Sequence, residues 1–207
     1  MPRSCQGCSG TTRAGNPCKR TTCLVKNKPW CWQHAPASVR NAALRKRVKK
    51  GLRPILETPR LPLYQHMLRA YGDTPEERQI IDTQLASVYT KQPGWSGSTY
   101  MVRGKVRAHV IVQKPATLGR FVREEFSTKS LRQVRAHAKG SDVLYVQSIG
   151  VDASLRRKGI AKLMLAQYKQ TLWLHAEGGG LVAAYKKMGF KEHPALQEGD
   201  RVFMTKG

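Results

Sequence analysis

Two groups of residues in this sequence have the types and spacing to do chemistry. The first is Arg156-Arg157-Lys158-Gly159-Ile160-Ala161, which follows the apolar run Val143–Val151 and opens a helical pattern. Free N–H groups at a helix start form an anion nest, and the helix dipole adds to it. Gly159 and the small Ala161 let a diphosphate approach the backbone without a Cβ clash, while Arg156, Arg157 and Lys158 add positive charge. The second group is Cys5, Cys8, Cys18, Cys23, Cys31 and His34, which are the chain's five cysteines and a neighbouring histidine. Thiolate and imidazole donors of this kind select Zn²⁺, usually four to a structural site.

The cysteine spacing leaves two ligand sets open. Cys5, Cys8, Cys31 and His34 form one arrangement; Cys8, Cys18, Cys31 and His34 form a wider one. An odd cysteine count argues against a closed disulfide set. Residues 1–36 hold too few aliphatic side chains to fold without a staple, and a metal would supply the missing folding free energy. Four protein ligands leave no open position on the ion, so such a zinc is structural.

Charge sets these residues apart from the rest. The 207-residue chain carries 37 Lys and Arg against 13 acidic residues, a formal net charge of +24. Residues 1–56 contain no Asp or Glu and 13 Lys or Arg. Such a field favours phosphate-rich partners through counterion release, nucleic acid foremost. Val39, Ala43, Leu44, Val48 and Leu52 recur at helical spacing, with Ser38 as a cap and Gly51 as a stop. The other face of that helix is Arg and Lys, suited to a phosphate backbone. No run reaches the roughly 18 apolar residues of a membrane span, and the N-terminus lacks the apolar stretch of a secretory signal. An intracellular, reducing location, in cytoplasm or nucleus, is expected.

The elements that must position the anion loop alternate between strand and helix. Residues 64–92 read as helical, with a start near Thr74-Pro75-Glu76-Glu77. Strands are expected over 99–103 and Lys105–Gln113, the second with Val106, Ala108, Val110 and Val112 on one face. A helix over 130–138 precedes the strand Val143–Val151. Then come a helix over 159–170, a strand over 171–176, a helix over 181–188, and closing strands near Gly189-Phe190 and 201–205. This alternation predicts an α/β sandwich around a mixed sheet. Pro54, Pro59 and Pro62 mark the boundary before it.

Two resemblances sharpen the reading. The order Val151-Asp-Ala-Ser-Leu-Arg-Arg-Lys-Gly-Ile-Ala161, followed by Ala183-Ala-Tyr-Lys-Lys-Met-Gly-Phe190, resembles the central and following motifs of GNAT N-acetyltransferases over roughly residues 143–190. It implies a GNAT-like mixed β-sheet flanked by helices. Ser148, Ile149, Gly150 and Val151 would splay from the neighbouring strand and hydrogen-bond the pantetheine arm of acetyl-coenzyme A. Arg156, Arg157, Lys158, Gly159, Ile160 and Ala161 would form the pyrophosphate loop. Tyr185 would sit near the thioester sulfur and protonate the departing thiolate; its helical spacing from Leu181 and Met188 equally suits a core aromatic. No carboxylate stands out as the base that deprotonates the amine: Asp142 and Asp152 only flank the strand, and His175 reads as either a packed residue or a base. Family members often carry Asn where this chain has Gly178. The N-terminal stretch resembles small zinc modules reading Cys-x-x-x-Thr-x-x-Gly-x-x-Cys-Lys…Cys-x-x-His. That favours Cys8, Cys18, Cys31 and His34 and leaves Cys5 and Cys23 spare.

The organisation expected is a zinc-stapled module at 1–36, a basic helical connector at 37–60 and a GNAT-like acetyltransferase domain at 61–207. The function expected is acetyl-coenzyme A-dependent N-acetylation, targeted to nucleic acid or a nucleoprotein through residues 1–56. The alternative is a catalytically inactive GNAT fold serving as a structural or nucleic-acid-binding protein.

Overall fold

The computed structural model describes residues 35–114, 132, 142–197 and 199–207. The proposed zinc ligands lie outside these residues, as does the helix expected over 130–138 apart from Arg132. The chain divides into two compact units, Met1–Lys50 and Gly51–Gly207.

In the first unit the described element is helix α1 (Ala37–Gly51), which runs to the boundary. It begins one residue before the expected Ser38 cap, because the Pro36 carbonyl already accepts from the Arg40 N–H at 3.0 Å. Lys49 and Lys50 occupy its last turn, the end where the helix dipole favours cations.

The second unit is built on a seven-stranded sheet of order β1-β2-β3-β4-β5-β7-β6. Its strands are β1 (Leu52–Pro54), β2 (Trp95–Val102), β3 (Lys105–Gln113), β4 (Val143–Val151), β5 (Thr171–Glu177), β6 (Lys191–Glu192) and β7 (Arg201–Lys206). Only β4 and β5 pair in parallel. Leu52–Pro54, assigned from sequence to the connector, pairs with β2 as the edge strand.

The helical region read as one span over 64–92 is two helices, α2 (Arg60–Tyr71) and α3 (Pro75–Tyr89). Gly72 ends α2 with φ 133°, its N–H bonded to the Leu68 carbonyl. Thr74 caps α3: its side chain accepts from the Glu77 N–H at 3.2 Å, with Pro75 at the first position and Glu76 and Glu77 facing the helix dipole. Both helices pack on the sheet through Ile55, Leu63, Met67, Ile81, Leu85, Val88, Val106 and Ile111. Truncating one of these buried aliphatics to Ala would cost about 2–5 kcal/mol.

Two β-bulges shape the sheet. Tyr100 pairs with Ala108 and Met101 with Val106, so Arg107 is an extra residue in β3. A one-residue insertion exchanges faces. Val106 therefore joins Ile111 in the α2–α3 core and does not share a face with Val110 and Val112, as the alternation had suggested. In β4, Ser148 pairs with Ile111 and Val146 with Val112, leaving Gln147 unmatched. A bulge bends its strand, and here the bend falls where β4 leaves β5: they pair only over Val143, Leu144 and Tyr145.

Helix α4 (Ile160–Leu165) packs against β3 and β4, and α5 (Gly178–Lys187) against β5. Helix α4 is shorter than the expected 159–170. Gln167 and Tyr168 turn more tightly, on the carbonyls of Met164 and Leu165, and the Gln167 amide reaches Ser98 on β2. The chain must then enter β5 at Thr171, whose N–H bonds to the Asp142 carbonyl. Helix α5 starts earlier than expected, with Gly178-Gly179-Gly180 as its first turn.

Candidate active site

The separation of β4 from β5 opens a cavity of about 530 Å³. Ser148, Ile149, Gly150 and Val151 form its β4 wall, and Leu174, His175 and Glu177 its β5 wall. Tyr185 and Leu181 of α5, Tyr71 of α2 and Arg156 also line it. Past Tyr145, the β4 edge turned towards β5 has no ladder partner there. Its backbone N–H and C=O groups can therefore pair with an extended ligand, as a sheet edge accepts a strand. Ser148 is buried, and its hydroxyl lies near that of Tyr71 without making a hydrogen bond of acceptable geometry. A buried hydroxyl left unsatisfied costs about 1–3 kcal/mol, which a ligand can recover.

The loop after β4 runs through a 3-10 turn, Ala153–Leu155, into α4. Gly159, immediately before the helix, has φ 77°, and Arg157 also sits in the left-handed region with φ 59°. A non-glycine residue held there stores strain of about 1–3 kcal/mol, a cost that clusters at ligand clamps. The side chains of Arg156 and Lys158 tie back to the Val151 and Ser154 carbonyls at 3.2 and 2.6 Å, bracing the loop. Gly159 leaves the N–H groups of Ile160, Ala161 and Lys162 at the open end of α4, where the helix offers them no acceptor. Of the residues singled out from sequence, Ser148, Ile149, Gly150, Val151, Arg156 and Tyr185 line the cavity. Arg157, Lys158, Gly159 and Ala161 lie along the loop outside that lining, and the Ile160 side chain is buried in the core.

Tyr185 sits edge-on to Phe190 at 5.4 Å. Burial pushes its phenol up to about 12, so it holds its proton at neutral pH. His175 bonds through Nδ1 to the Tyr145 hydroxyl at 3.3 Å and packs on Phe203 at 5.0 Å. Among the described residues lining the cavity, Glu177 is the sole carboxylate, and it pairs with Arg201 at 2.7 Å.

Sequence reasoning missed a buried polar cluster behind the α2 wall. The Tyr71 hydroxyl lies 3.3 Å from His109 Nε2, and His66 Nδ1 lies 3.1 Å from Asp152 Oδ1. The rings of His66 and His109 meet edge to face at 5.1 Å. Asp152 also holds Arg107 at 2.9 Å. Both histidines are fully buried. Burial lowers His66 despite Asp152 beside it, and burial with the neighbouring His66 holds His109 well below the usual histidine range. Tyr71 is 38% exposed, yet its hydroxyl end meets the buried His109, and burial there pushes its phenol well up.

Solved structures with a similar fold include the PaiA N-acetyltransferase of Thermoplasma acidophilum in complex with coenzyme A. Its TM-score is 0.50 at 9% identity, over 75% of this chain and 98% of that one. Arabidopsis thaliana NAA60 in complex with acetyl-coenzyme A gives 0.51 at 15% identity, over 75% and 96%. A putative GNAT acetyltransferase of Desulfovibrio desulfuricans gives 0.51 at 11% identity, over 74% and 94%. The C-terminal region has the GNAT fold. No protein-family model and no curated protein matches the sequence.

Within the GNAT fold of this chain, the parted strands, the unsatisfied Ser148 hydroxyl and the glycine-opened start of α4 fit a long ligand with amide groups and a diphosphate. Gly178, which follows the lining residue Glu177, has φ 75°, and among the described residues a Cβ there would meet nothing within 4 Å. Among the described residues no group of three or more His, Cys, Asp or Glu is arranged to hold a metal. Among them, too, no helix is long and apolar enough to cross a membrane.

Proposed function

We infer that this chain is an acetyl-coenzyme A-dependent N-acetyltransferase. The observation that carries this reading is the cavity between β4 and β5, with its free strand edge, at the centre of a GNAT fold. Acetyl-coenzyme A, when bound, supplies a thioester that an amine can attack. The free edge of β4 and the Ser148 hydroxyl would hold the pantetheine amides. The N–H groups of residues 157–161 would hold the pyrophosphate, with Arg156, Arg157 and Lys158 adding charge. Tyr185, protonated at neutral pH, would donate to the departing thiolate.

The N-terminal region completes the reading. Cys8, Cys18, Cys31 and His34 would hold one structural Zn²⁺, an assignment resting on donor types and spacing. The acid-free stretch 1–56, with α1 within it, would deliver the enzyme to nucleic acid or a nucleoprotein in a reducing cytoplasm or nucleus. A second reading, a catalytically silent GNAT fold, is favoured by the pairing of Glu177 with Arg201, which leaves no free carboxylate among the described residues of the cavity wall.

The test is coenzyme A release by the full chain from acetyl-coenzyme A, followed by chromatography. Acceptors would be peptides with free N-termini, lysine peptides and polyamines. Amine-dependent release supports the enzyme. Binding of acetyl-coenzyme A without amine-dependent release selects the silent fold.

A further inference from the structure

The loop of residues 153–159 leaves ordinary backbone geometry twice, at Arg157 (φ 59°) and at Gly159 (φ 77°). A left-handed arginine persists only where the surrounding structure over-determines it. The ties inside the loop do not supply that alone. The Leu155 and Arg156 N–H groups donate to the Asp152 carbonyl at 2.8 and 3.1 Å, the Arg156 side chain returns to Val151, and Lys158 returns to Ser154. All of these end on residues 151–154, so the loop is only as well placed as those four residues. The β3–β4 ladder reaches no further than Val151, which pairs with Ala108.

Beyond that rung the hold passes to one carboxylate. Asp152 Oδ2 accepts from Arg107 Nε at 2.9 Å, and Oδ1 accepts from His66 Nδ1 at 3.1 Å. The Asp152 N–H donates to the Arg107 carbonyl at 2.9 Å, and Arg107 Nη2 donates to Ser154 Oγ at 2.7 Å. Arg107 is the extra residue of the β3 bulge, and bulges re-aim side chains. Here the re-aimed guanidinium spans Asp152 and Ser154 together. The His66 ring also faces the carbonyl of Gly150, so α2 meets the end of β4 at two points. The Asp152 side chain is 17% exposed and that of His66 0%, which shields these contacts from the solvent that makes surface pairs weak. A carboxylate here also repels the diphosphate that the loop is read to hold. Its presence calls for a benefit that outweighs that repulsion.

We propose that Asp152 is a positioning residue of the acetyl-coenzyme A site, fixing the loop 153–159 against the β3 bulge through Arg107 and against α2 through His66. The proposal rests on the acetyltransferase reading above. It also links two walls of the site. Ala70 and Tyr71, about one helical turn after His66, line the cavity, so the carboxylate that sets the loop also sets the helix opposite β4. Asp152 acts through the loop and touches no reacting atom.

Titrations of the full chain with acetyl-coenzyme A and with acetyl-pantetheine, the same thioester without diphosphate or nucleotide, test it. Asp152→Ala should weaken acetyl-coenzyme A about tenfold or more and leave acetyl-pantetheine within about twofold. Asp152→Asn removes the same charge but keeps an acceptor for Arg107 and a hydrogen bond to His66 in its other tautomer. It should therefore stay within about threefold of the parent for acetyl-coenzyme A. An effect of charge alone would move both variants alike, towards tighter binding. Acetyl-coenzyme A affinity in Asp152→Ala equal to or above the parent's, equal losses in the two variants, or a parallel loss of acetyl-pantetheine overturns the proposal. Ser154→Ala removes one tie from an exposed side chain. It should weaken acetyl-coenzyme A about threefold at unchanged Tm, and unchanged affinity overturns the proposal even where Asp152→Ala does not fold. Failure of the folded parent to bind acetyl-coenzyme A would overturn the acetyltransferase reading and this proposal with it. Binding by the parent with no change in the variants would overturn the role of Asp152 alone.

Discussion

Replacing Gly150 by Ala would set a methyl carbon 2.5 Å from His109 Cε1, 3.0 Å from His109 Nδ1 and 3.0 Å from Ala70 Cβ. Carbon atoms pack best at about 3.5–4.0 Å, so roughly 1 Å must be found at the junction of α2, β3 and β4. None of the three can give freely. The His109 ring is fully buried and faces both His66 and the Tyr71 hydroxyl, while Gly150 lies opposite His109 in the β3–β4 ladder. Overpacking of this kind costs about 1–3 kcal/mol. In a domain of this size that is a Tm loss of roughly 2–12 °C. The sign is the informative part. With no steric conflict, Ala would be worth about 0.5–1 kcal/mol over Gly in a strand interior and would raise Tm. Differential scanning calorimetry of the full chain at pH 7.5 reads the difference. In a His109→Ala background the same Gly150→Ala change should cost less than in the parent, because the nearest contact is gone. A Tm equal to or above that of the parent would refute the close packing of His109 on β4, and with it the geometry of the α2 wall.

Stability should also respond to acid. His66 and His109 have lowered pKa values in the fold, whereas the unfolded chain takes up protons near 6.5, so acid favours unfolding. Stability should be full above about pH 7 and fall below about 6.5, by up to about 1.4 kcal/mol per pH unit for each histidine; equal urea midpoints at pH 7.5 and 5.5 would contradict this. Tyr185→Phe should leave acetyl-coenzyme A affinity within about twofold while lowering amine-dependent turnover about tenfold or more; a parallel loss of binding would make Tyr185 a packing residue. Metal analysis should find one zinc per chain, lost in Cys18→Ser and kept in Cys5→Ser; the reverse pattern selects the other ligand set. Replacing Lys46 and Lys49 of α1 by Gln should reduce the slope of log K against log salt for duplex binding by about 1.8 if both contact phosphates, and an unchanged slope would remove α1 from the interface.

The parts legible in the sequence were those whose signal is local. Val143–Val151 and Lys105–Gln113 are continuous β-favouring runs, and both form strands with those bounds. Thr74-Pro75-Glu76-Glu77 carries its capping chemistry in four residues. What depends on a partner strand stayed hidden. The extra residues Arg107 and Gln147 are defined only by the registers of β2 against β3 and of β3 against β4, so neither the face of Val106 nor the bend in β4 could be read beforehand. The helix expected over 181–188 leaves out the glycine triplet before it, as glycine disfavours helices. Gly178 makes a turn, at φ 75°, but the helix starts on it at once. Tyr71, His66, His109 and Asp152 come from three separate stretches of sequence, each an ordinary member of its own pattern, and only the packing of α2 on β3 and β4 assembles them.

The most direct test of the account is isothermal titration of the full chain with acetyl-coenzyme A, alongside Ala161→Asp. Ala161 is the second residue of α4, where an acidic side chain favours the helix, so the substitution should preserve the fold while repelling a pyrophosphate. The account predicts one site per chain in the parent protein and at least a tenfold loss of affinity in the variant at unchanged Tm. Absence of binding in the folded parent, or equal affinity in the two proteins, would contradict it.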